Sequence, residues 1–271
     1  MVNIKDILEI LNQIARFDIA EKWDNSGLQA GSMNWEVKKI IIGLDVSMPL
    51  MQAAKKSNCD LVLTHHPLMI TPEKSFDFQK MPGSAIQIAA RDKISIISVH
   101  TNLDKANDGL NDYFASKIGV QTIKSFLPLF PGDEPEGQVS GMGRLGCLQT
   151  PMTVQELAEQ IKNKLGLLNL RVTGDLDRKV KTIAICTGSG GSLVDEFIKS
   201  ETDVFITGDV KYHEARLVEQ ASKVLIDVGH FGSEHMVIDL LSSRLRLAFK
   251  NVGLNIEVNK FLKEKDPFTI V

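Results

Sequence analysis

The stretch that most constrains the fold is the run from Leu61 to Leu68, which reads Leu-Val-Leu-Thr-His-His-Pro-Leu. An apolar, β-branched run of this length predicts a buried strand. Pro67 has no backbone N–H and ends the strand's hydrogen bonding. His65 and His66 therefore follow the carboxyl end of a strand, where open α/β sheets bind their ligands. Neighbouring strand residues point to opposite faces. Both imidazoles reach one site only if the backbone turns or if the site holds two metal ions.

Composition limits the class of protein. A chain of 271 residues with 43% hydrophobic and 24% charged residues is typical of a globular protein with one large or two ordinary domains. The formal net charge of −3 disfavours nucleic acid as a partner. No apolar run approaches the ~20 residues of a membrane span, so we expect no membrane partner. Three separated cysteines argue against disulfides and thiolate metal ligands and favour a reducing, cytoplasmic location: Cys59, Cys147 and Cys186.

Strand and helix patterns alternate along the chain, which predicts an α/β fold. We expect helices over 3–16, 83–92, 109–118, 153–165 and 232–249. We expect strands over 39–44, 60–64, 94–99, 180–186, 203–207 and 223–228. The segment 128–137 holds three prolines and two glycines and is the best candidate for a linker.

Four of the six histidines follow predicted buried strands directly or almost directly: His65, His66, His100 and His230. Scattered structural histidines are not expected to share that position. His230 and Glu234 are four residues apart at a helix start, so in a helical turn they face the same way. His100 and Asp104 have the same spacing. The three segments together offer four imidazoles and two carboxylates.

This donor set suits Zn²⁺, Mn²⁺, Fe²⁺, Co²⁺ or Ni²⁺. Six ligands exceed what one tetrahedral ion uses, whereas two ions ~3.5–4 Å apart, bridged by a carboxylate, use them well. Taken singly, a histidine at a strand end is more often a hydrogen-bonded structural residue. Asp104 alone could start a turn, and Glu234 alone could favour a helix N-terminus. Three segments with the same layout favour a metal site.

Three further polar loops have two interpretations each. The loop Gly188–Ser192 follows a predicted strand and either offers backbone N–H groups to an anion or forms a tight turn. The segment Thr207–His213 carries Lys211 and His213, which either contact a phosphate or face solvent. The segment Trp23–Leu28 is either a packed loop or a loop that lines a site.

Three of these segments, Leu63–Leu68, His100–Asp104 and Gly229–Glu234, resemble motifs of the dinuclear metal-centre proteins. These form the NGG-interacting-factor-three-like family, whose members are often named GTP cyclohydrolase I type 2 homologues. Trp23–Leu28 and Thr207–His213 also resemble blocks of that family. Order and spacing match over essentially the whole chain. Some members carry an extra domain between the halves, and this sequence resembles the compact form.

The resemblance implies that the metal ligands are His65, His66, Asp104, His230 and Glu234. It also implies that Glu234 bridges two ions and that His100 is a further ligand or a residue bonded to a ligand. It also implies a homohexameric ring. Because His230 and Glu234 must return to His65, we predict a metal-binding lobe of residues 1–126 plus 227–271. Residues 127–226 are then an inserted second α/β lobe. We expect mixed sheets in both lobes and the metal site in the cleft between them.

Three functions are compatible with such a site. The first is a metal-dependent hydrolase in which a metal-activated water opens the imidazole ring of GTP and releases formate, with His100 or His213 moving protons. The second is phosphoester hydrolysis, with Gly188–Ser192 holding phosphate. The third is a non-catalytic metal-binding ring that acts as a scaffold or regulator. A small phosphorylated or nucleotide substrate follows from the first two.

Overall fold

The computed structural model describes residues 1–129 and 140–270. Labelled in chain order, the strands are β1 (Gly27–Ala30), β2 (Lys39–Gly43), β3 (Leu61–Thr64), β4 (Ser95–Ser98), β5 (Gln121–Pro128), β6 (Gly141–Thr153), β7 (Arg171–Thr173), β8 (Lys179–Ser189), β9 (Val204–Gly208), β10 (Val224–Asp227) and β11 (Glu257–Lys260). The helices are α1 (Ile4–Ile14), α2 (Met48–Lys56), α3 (Gly83–Asp92), α4 (Thr101–Lys105), α5 (Leu110–Ile118), α6 (Val154–Leu165), α7 (Val194–Lys199), α8 (Tyr212–Gln220), α9 (His230–Glu234) and α10 (Val237–Asn251). Two single turns of 3₁₀ helix lie at Phe17–Ile19 and Gly191–Leu193.

The chain forms two compact units. The first consists of Met1–Leu103 and Val237–Lys265, and the second consists of Asp104–Met236 and Asp266–Val271. Each unit contains one mixed sheet with helices packed on it. The expected α/β class with two mixed sheets is therefore confirmed.

The sheet of the first unit has the strand order β1-β4-β3-β2-β11. Strands β4, β3, β2 and β11 are parallel, and β1 pairs antiparallel with β4. All four residues of β3 are buried, as are all four of β4, which explains the apolar run 61–63 and the Ile96–Ile97 pair at their centres. The core beneath them is built from α2 and α3 packed against Val62 and Ile96.

The first two helices of the first unit begin with capping residues. The side chain of Asn3 accepts the N–H of Asp6 at the start of α1, and Asp6 returns the bond to Asn3. Ser47 caps α2 in the same way by accepting the N–H of Leu50. Local sequence therefore determines where these helices begin.

The sheet of the second unit has the order β5-β6-β8-β9-β10-β7. Strands β8, β9 and β10 are parallel, and the others pair antiparallel. One core packs α5 and α6 against the sheet, and another packs Phe197 against Phe205. Arg144 is completely buried, and its guanidinium forms a two-bond ion pair with Asp112.

The unit boundaries lie elsewhere than the sequence suggests. We expected residues 104–126 in the first lobe, but β5 pairs with β6 and α5 packs on β8, so both belong to the second unit. The turn α9 also packs on β8 and lies in the second unit. The predicted linker 128–137 lies outside the described residues except for its first two positions.

Two local expectations also change. The predicted helix over 232–249 is two helices, because α9 ends at Glu234 and α10 begins at Val237. Strand β1 was not predicted, because its four residues are only half-buried and show no alternation. No helix in the described part of the chain combines the length and the apolar character that crossing a membrane requires.

Candidate functional site

Three imidazoles gather at the carboxyl ends of β3 and β4 in the first unit. His65 and His66 follow β3 directly, and His100 comes two residues after β4. The candidate ligand atoms of these three residues all lie within 4.8 Å of one another. Their ring centroids are 5.1–5.6 Å apart. The chain turns immediately after β3, so the two adjacent histidines serve the same side, as a common site requires.

Each of these imidazoles has its Nδ1 bonded to an oxygen that only accepts hydrogen bonds. The partners are the backbone carbonyl of Val99 for His65 at 2.8 Å, Asp45 Oδ1 for His66 at 2.7 Å, and Asp24 Oδ1 for His100 at 2.8 Å. Nδ1 must therefore carry the proton and donate it, which leaves the lone pair of a neutral ring on Nε2. This arrangement orients the histidine ligands of metal sites.

Asp24 is the most heavily bonded of these partners. Its side chain has no exposed surface, and it accepts hydrogen bonds from His100, from Ser26 Oγ and from the backbone and hydroxyl of Thr101. Burial opposes ionisation of this carboxyl, but the bonds from His100, Thr101 and Ser26 outweigh it and hold the pKa of Asp24 well below its usual range. Asp24 is therefore a fixed anion that orients His100.

The second unit contributes one imidazole and two carboxylates. His230 Nε2 lies 2.9 Å from Glu234 Oε2 within α9, so the two residues share one face of that turn. Asp104 and Glu234 also offer ligand atoms within 4.8 Å of each other, and both are buried. His230 Nδ1 donates to Asp209 Oδ2 at 2.7 Å. The same Nδ1-to-acceptor arrangement therefore occurs in both units.

The backbone of β8 approaches Glu234 very closely. Gly188 has φ +66°, and a Cβ there would overlap Glu234 Oε1 and lie 3.0 Å from Glu234 Cδ. The N–H of Gly188 donates to Ser233 Oγ at 2.9 Å, and that hydroxyl donates to the carbonyl of His230 at 2.9 Å. Only glycine fits this position. Ser233 and Gly188 therefore fix the α9 turn against the end of β8.

Asn111 joins Asp104 to the same strand end. Its Nδ2 donates to the backbone carbonyl of Asp104 at 3.0 Å, and its Oδ1 accepts the N–H of Thr187 at 2.9 Å. The side chain is completely buried. Nearby, burial raises the pKa of the Cys186 thiol and the charges of Asp104 and Glu234 raise it further, and no candidate metal group in the described part of the chain includes this cysteine.

The remaining predicted site residues lie elsewhere. His213 is exposed in the first turn of α8, with its ring against Tyr212, and no candidate metal group among residues 1–129 and 140–270 includes it. In the loop Gly188–Ser192, a Cβ at Gly191 would lie 2.6 Å from Glu214 Cδ. Carboxylates thus face two glycines of that loop, which disfavours phosphate binding there and favours the tight-turn interpretation.

Three functional residues were not assigned roles from sequence: Asp24, Asp45 and Asp209. Each orients an imidazole. Asp45 and Asp209 follow the strands that precede the histidine-bearing strands, and each pair of strands is parallel and adjacent. Because neighbouring parallel strands end at the same edge, an acid after one strand and a histidine after the next was a usable signal. Asp24 gave no such signal, since it comes before β1.

Divalent ions of the borderline class fit these donors. The first unit offers three imidazole nitrogens, and the second offers one imidazole nitrogen and two carboxylates. The candidate donors contain no thiolate. The chemistry of the set matches Zn²⁺, Mn²⁺, Fe²⁺, Co²⁺ or Ni²⁺ and does not select among them.

Comparison with known proteins identifies the family. The model of the Duf34/NIF3 (NGG1p interacting factor 3) family matches residues 2–267. This chain belongs to the Duf34/NIF3 family. The resemblance of the strand-end motifs to that family is thereby confirmed, and it extends over nearly the whole sequence.

Relatives of this Duf34/NIF3 protein have similar lengths. A Clostridium perfringens protein named GTP cyclohydrolase 1 type 2 homolog is 31% identical over 270 residues and covers 100% of both chains. A protein named GTP cyclohydrolase 1 type 2 from Helicobacter pylori strain J99 is 34% identical over 234 residues, which is 86% of this chain and 88% of that protein.

Solved structures share the fold. A Staphylococcus aureus protein has a TM-score of 0.90 at 26% identity and covers 100% of this chain and 99% of its own. A Bacillus cereus protein related to NIF3 has a TM-score of 0.91 at 22% identity, with coverage of 100% and 99%. The two mixed sheets of this Duf34/NIF3 protein are therefore the architecture of its relatives.

Proposed function

We propose that this Duf34/NIF3 protein is a divalent-metal-dependent hydrolase of the GTP cyclohydrolase type. The observation that carries the proposal is the shared orientation of four imidazoles, each with Nδ1 bonded to a carboxylate or carbonyl. Structural histidines have no reason to repeat this pattern at three strand ends. The names of the relatives from Clostridium perfringens and Helicobacter pylori support the choice of reaction.

The proposed ligands are His65, His66, Asp104, His230 and Glu234, with His100 as a further ligand or proton carrier. When bound, two such ions activate water for attack and neutralise developing negative charge. The chain's own residues then do three things. Asp24, Asp45 and Asp209 hold the imidazoles in one tautomer, Gly188 and Ser233 hold the Glu234 carboxylate in place, and Asn111 holds the backbone of Asp104.

Proton movement is assigned to His100. His100 Nδ1–H donates to the ionised Asp24 carboxylate, which leaves Nε2 as the ring atom that accepts and releases a proton. His213 is the weaker candidate because it is exposed and lies in no candidate metal group among the described residues.

The test measures formate release from GTP together with metal content. We expect Glu234→Gln to lose turnover, because the amide removes the charge and one ligand oxygen. Glu219→Gln is the matched control, since Glu219 is an exposed acid on α8 paired with Arg216. Formate release that persists unchanged in Glu234→Gln would contradict the proposal. Metal retention by the unmodified protein without hydrolysis of any nucleotide or phosphodiester would instead support the scaffold alternative.

Self-association into a homohexamer and binding of a small phosphorylated substrate remain predictions that rest on the family resemblance. The phosphoesterase alternative is weakened by one feature of the second unit. The loop proposed to hold phosphate has the Glu214 carboxylate against Gly191, and the N–H of Lys211 is already bonded to that carboxylate. An anion at Gly191 would be repelled.

A further inference from the structure

Trp23 is a large aromatic residue whose side chain is exposed to solvent. It is 58% exposed, although the indole is among the side chains that gain most from burial. Its ring lies beside that of His100, with ring centroids 6.0 Å apart and planes inclined by 74°. An exposed tryptophan is therefore placed at the rim of the three-imidazole cluster.

Several hydrogen bonds hold the loop that carries Trp23 in place. The next residue, Asp24, is bonded to His100 and Thr101, and its backbone N–H donates to the carbonyl of Glu21 at 2.9 Å. Asn25 Nδ2 donates to the carbonyl of Met69 at 2.8 Å, and Ser26 Oγ accepts the backbone N–H of His100 at 3.2 Å.

These bonds fix the backbone that carries Trp23 next to His100. The indole therefore stands beside His100 on a loop that is already ordered, so ligand contact does not require the loop to be ordered first. Fixed aromatic rings of this kind bind planar rings by stacking, and this tolerates many heterocycles because every such ring has a π-face.

We propose that Trp23 is a specificity-determining residue whose indole stacks on the planar aromatic ring of the ligand. The site then takes ring-bearing ligands, such as a nucleobase, in preference to a bare phosphate ester. This inference rests on the proposed function, because it takes the imidazole cluster as the place of reaction. It goes further by naming the residue that recognises the ring.

The two tryptophans of the chain allow a direct measurement. Trp35 lies in a turn, with its N–H bonded to Ser32 and its carbonyl bonded to Ile4 of α1. In the Trp35→Phe variant, Trp23 is the sole source of indole fluorescence. The full-length protein is loaded with Zn²⁺, which has no redox chemistry. We expect saturable quenching by GTP and by guanosine, and none by inorganic triphosphate.

Calorimetry extends the test to variants that lack the fluorophore. We expect Trp23→Ala to bind GTP about 5- to 100-fold more weakly, the range that base–aromatic stacking supports. Trp23→Phe keeps an aromatic face and should restore most of the affinity. Inorganic triphosphate should bind Trp23→Ala and the unmodified protein equally. Trp35→Phe is the matched control and should leave the affinity for GTP unchanged. The exposure of Trp23 lets the variants fold, which circular dichroism verifies.

Two outcomes would overturn the inference: no saturable quenching of Trp23 by GTP, or an affinity of Trp23→Ala for GTP equal to that of the unmodified protein. The proposed hydrolase is tested separately by formate release on the same samples. Quenching and weakened binding without formate would retain the stacking role and remove the hydrolase. Formate release with an unchanged KM in Trp23→Ala would retain the hydrolase and remove the stacking role.

Discussion

The two units contain the same arrangement, an aspartate that orients a histidine, formed by separate parts of the sequence. In the first unit, Asp45 comes after β2 and His66 comes after the adjacent parallel strand β3. In the second unit, Asp209 comes after β9, and His230 comes shortly after the adjacent parallel strand β10. Each acid precedes its histidine by 21 residues and accepts its Nδ1–H at 2.7 Å. Adjacent parallel strands thus supply an oriented imidazole wherever an acid and a histidine follow them in turn.

The surroundings of these two pairs differ. Next to His66 the first unit has two further imidazoles, those of His65 and His100. Hydrogen bonds hold both, and His100 is bonded to the buried Asp24. Around His230 the second unit adds carboxylates, and Glu234 is held by the close approach of the Gly188 backbone. Both units orient imidazoles by hydrogen bonding, and the second unit also positions the Glu234 carboxylate by packing. Substitutions should therefore act differently in the two units.

The largest effect is expected from Gly188→Ala in the second unit. The left-handed backbone costs alanine about 1–2 kcal/mol, and forcing a methyl group against Glu234 adds about 1–3 kcal/mol or displaces the carboxylate. We expect a loss of about 2–5 kcal/mol in the free energy of unfolding, measured by urea denaturation, together with weakened Zn²⁺ binding.

Gly166→Ala is the matched control for this prediction. Gly166 belongs to the same unit and has φ +69°, but a Cβ there would meet nothing within 4 Å. It should show only the backbone strain and normal Zn²⁺ affinity. Equal losses in the two variants would show that the contact between Gly188 and Glu234 positions nothing.

An intermediate effect is expected from Asp24→Asn in the first unit. The amide keeps the shape but gives up the charge and presents a donor to one of its partners, so His100 loses its fixed tautomer. We expect Zn²⁺ affinity to fall about 10- to 100-fold and unfolding to become easier by about 1–3 kcal/mol. Calorimetry and denaturation measure both. Asp18→Asn, an exposed acid paired with Arg16, should change neither; a similar change in both variants would remove the orienting role of Asp24.

The smallest effects are expected from Asp45→Asn and Asp209→Asn, and they should be alike. Both acids are about half exposed, at 56% and 44% of the side chain, so water replaces part of what each bond supplies. We expect a loss of Zn²⁺ affinity of about tenfold or less in each, with a change in unfolding free energy below about 1 kcal/mol. A large difference between the two variants, measured side by side, would break the parallel between the units.

The outline of the fold could be read from the sequence because the strongest patterns are local. The helix predicted over 83–92 matches α3, and the strand predicted over 60–64 differs from β3 by one residue. Continuous apolar runs identify buried strands, and capping residues identify helix starts, without reference to distant parts of the chain. Placement of α5 and β5 in the second unit was missed, since it depends on pairing with β6.

The sequence by itself determined which residue types follow the strands, and hence the candidate ligands. Consecutive residues are enough to show this, because an apolar run indicates a buried strand and the polar residues after it mark where the strand ends. Only the tertiary structure decided how those ligands are oriented. Asp24 and His100 are bonded although they are 76 positions apart in the sequence. Gly188 likewise contacts Glu234, a residue far from it in the sequence, and no local sequence pattern links the two. Orientation depends on contacts between segments that fold together only when the sheet has formed, so it is a property of packing and not of any stretch of sequence.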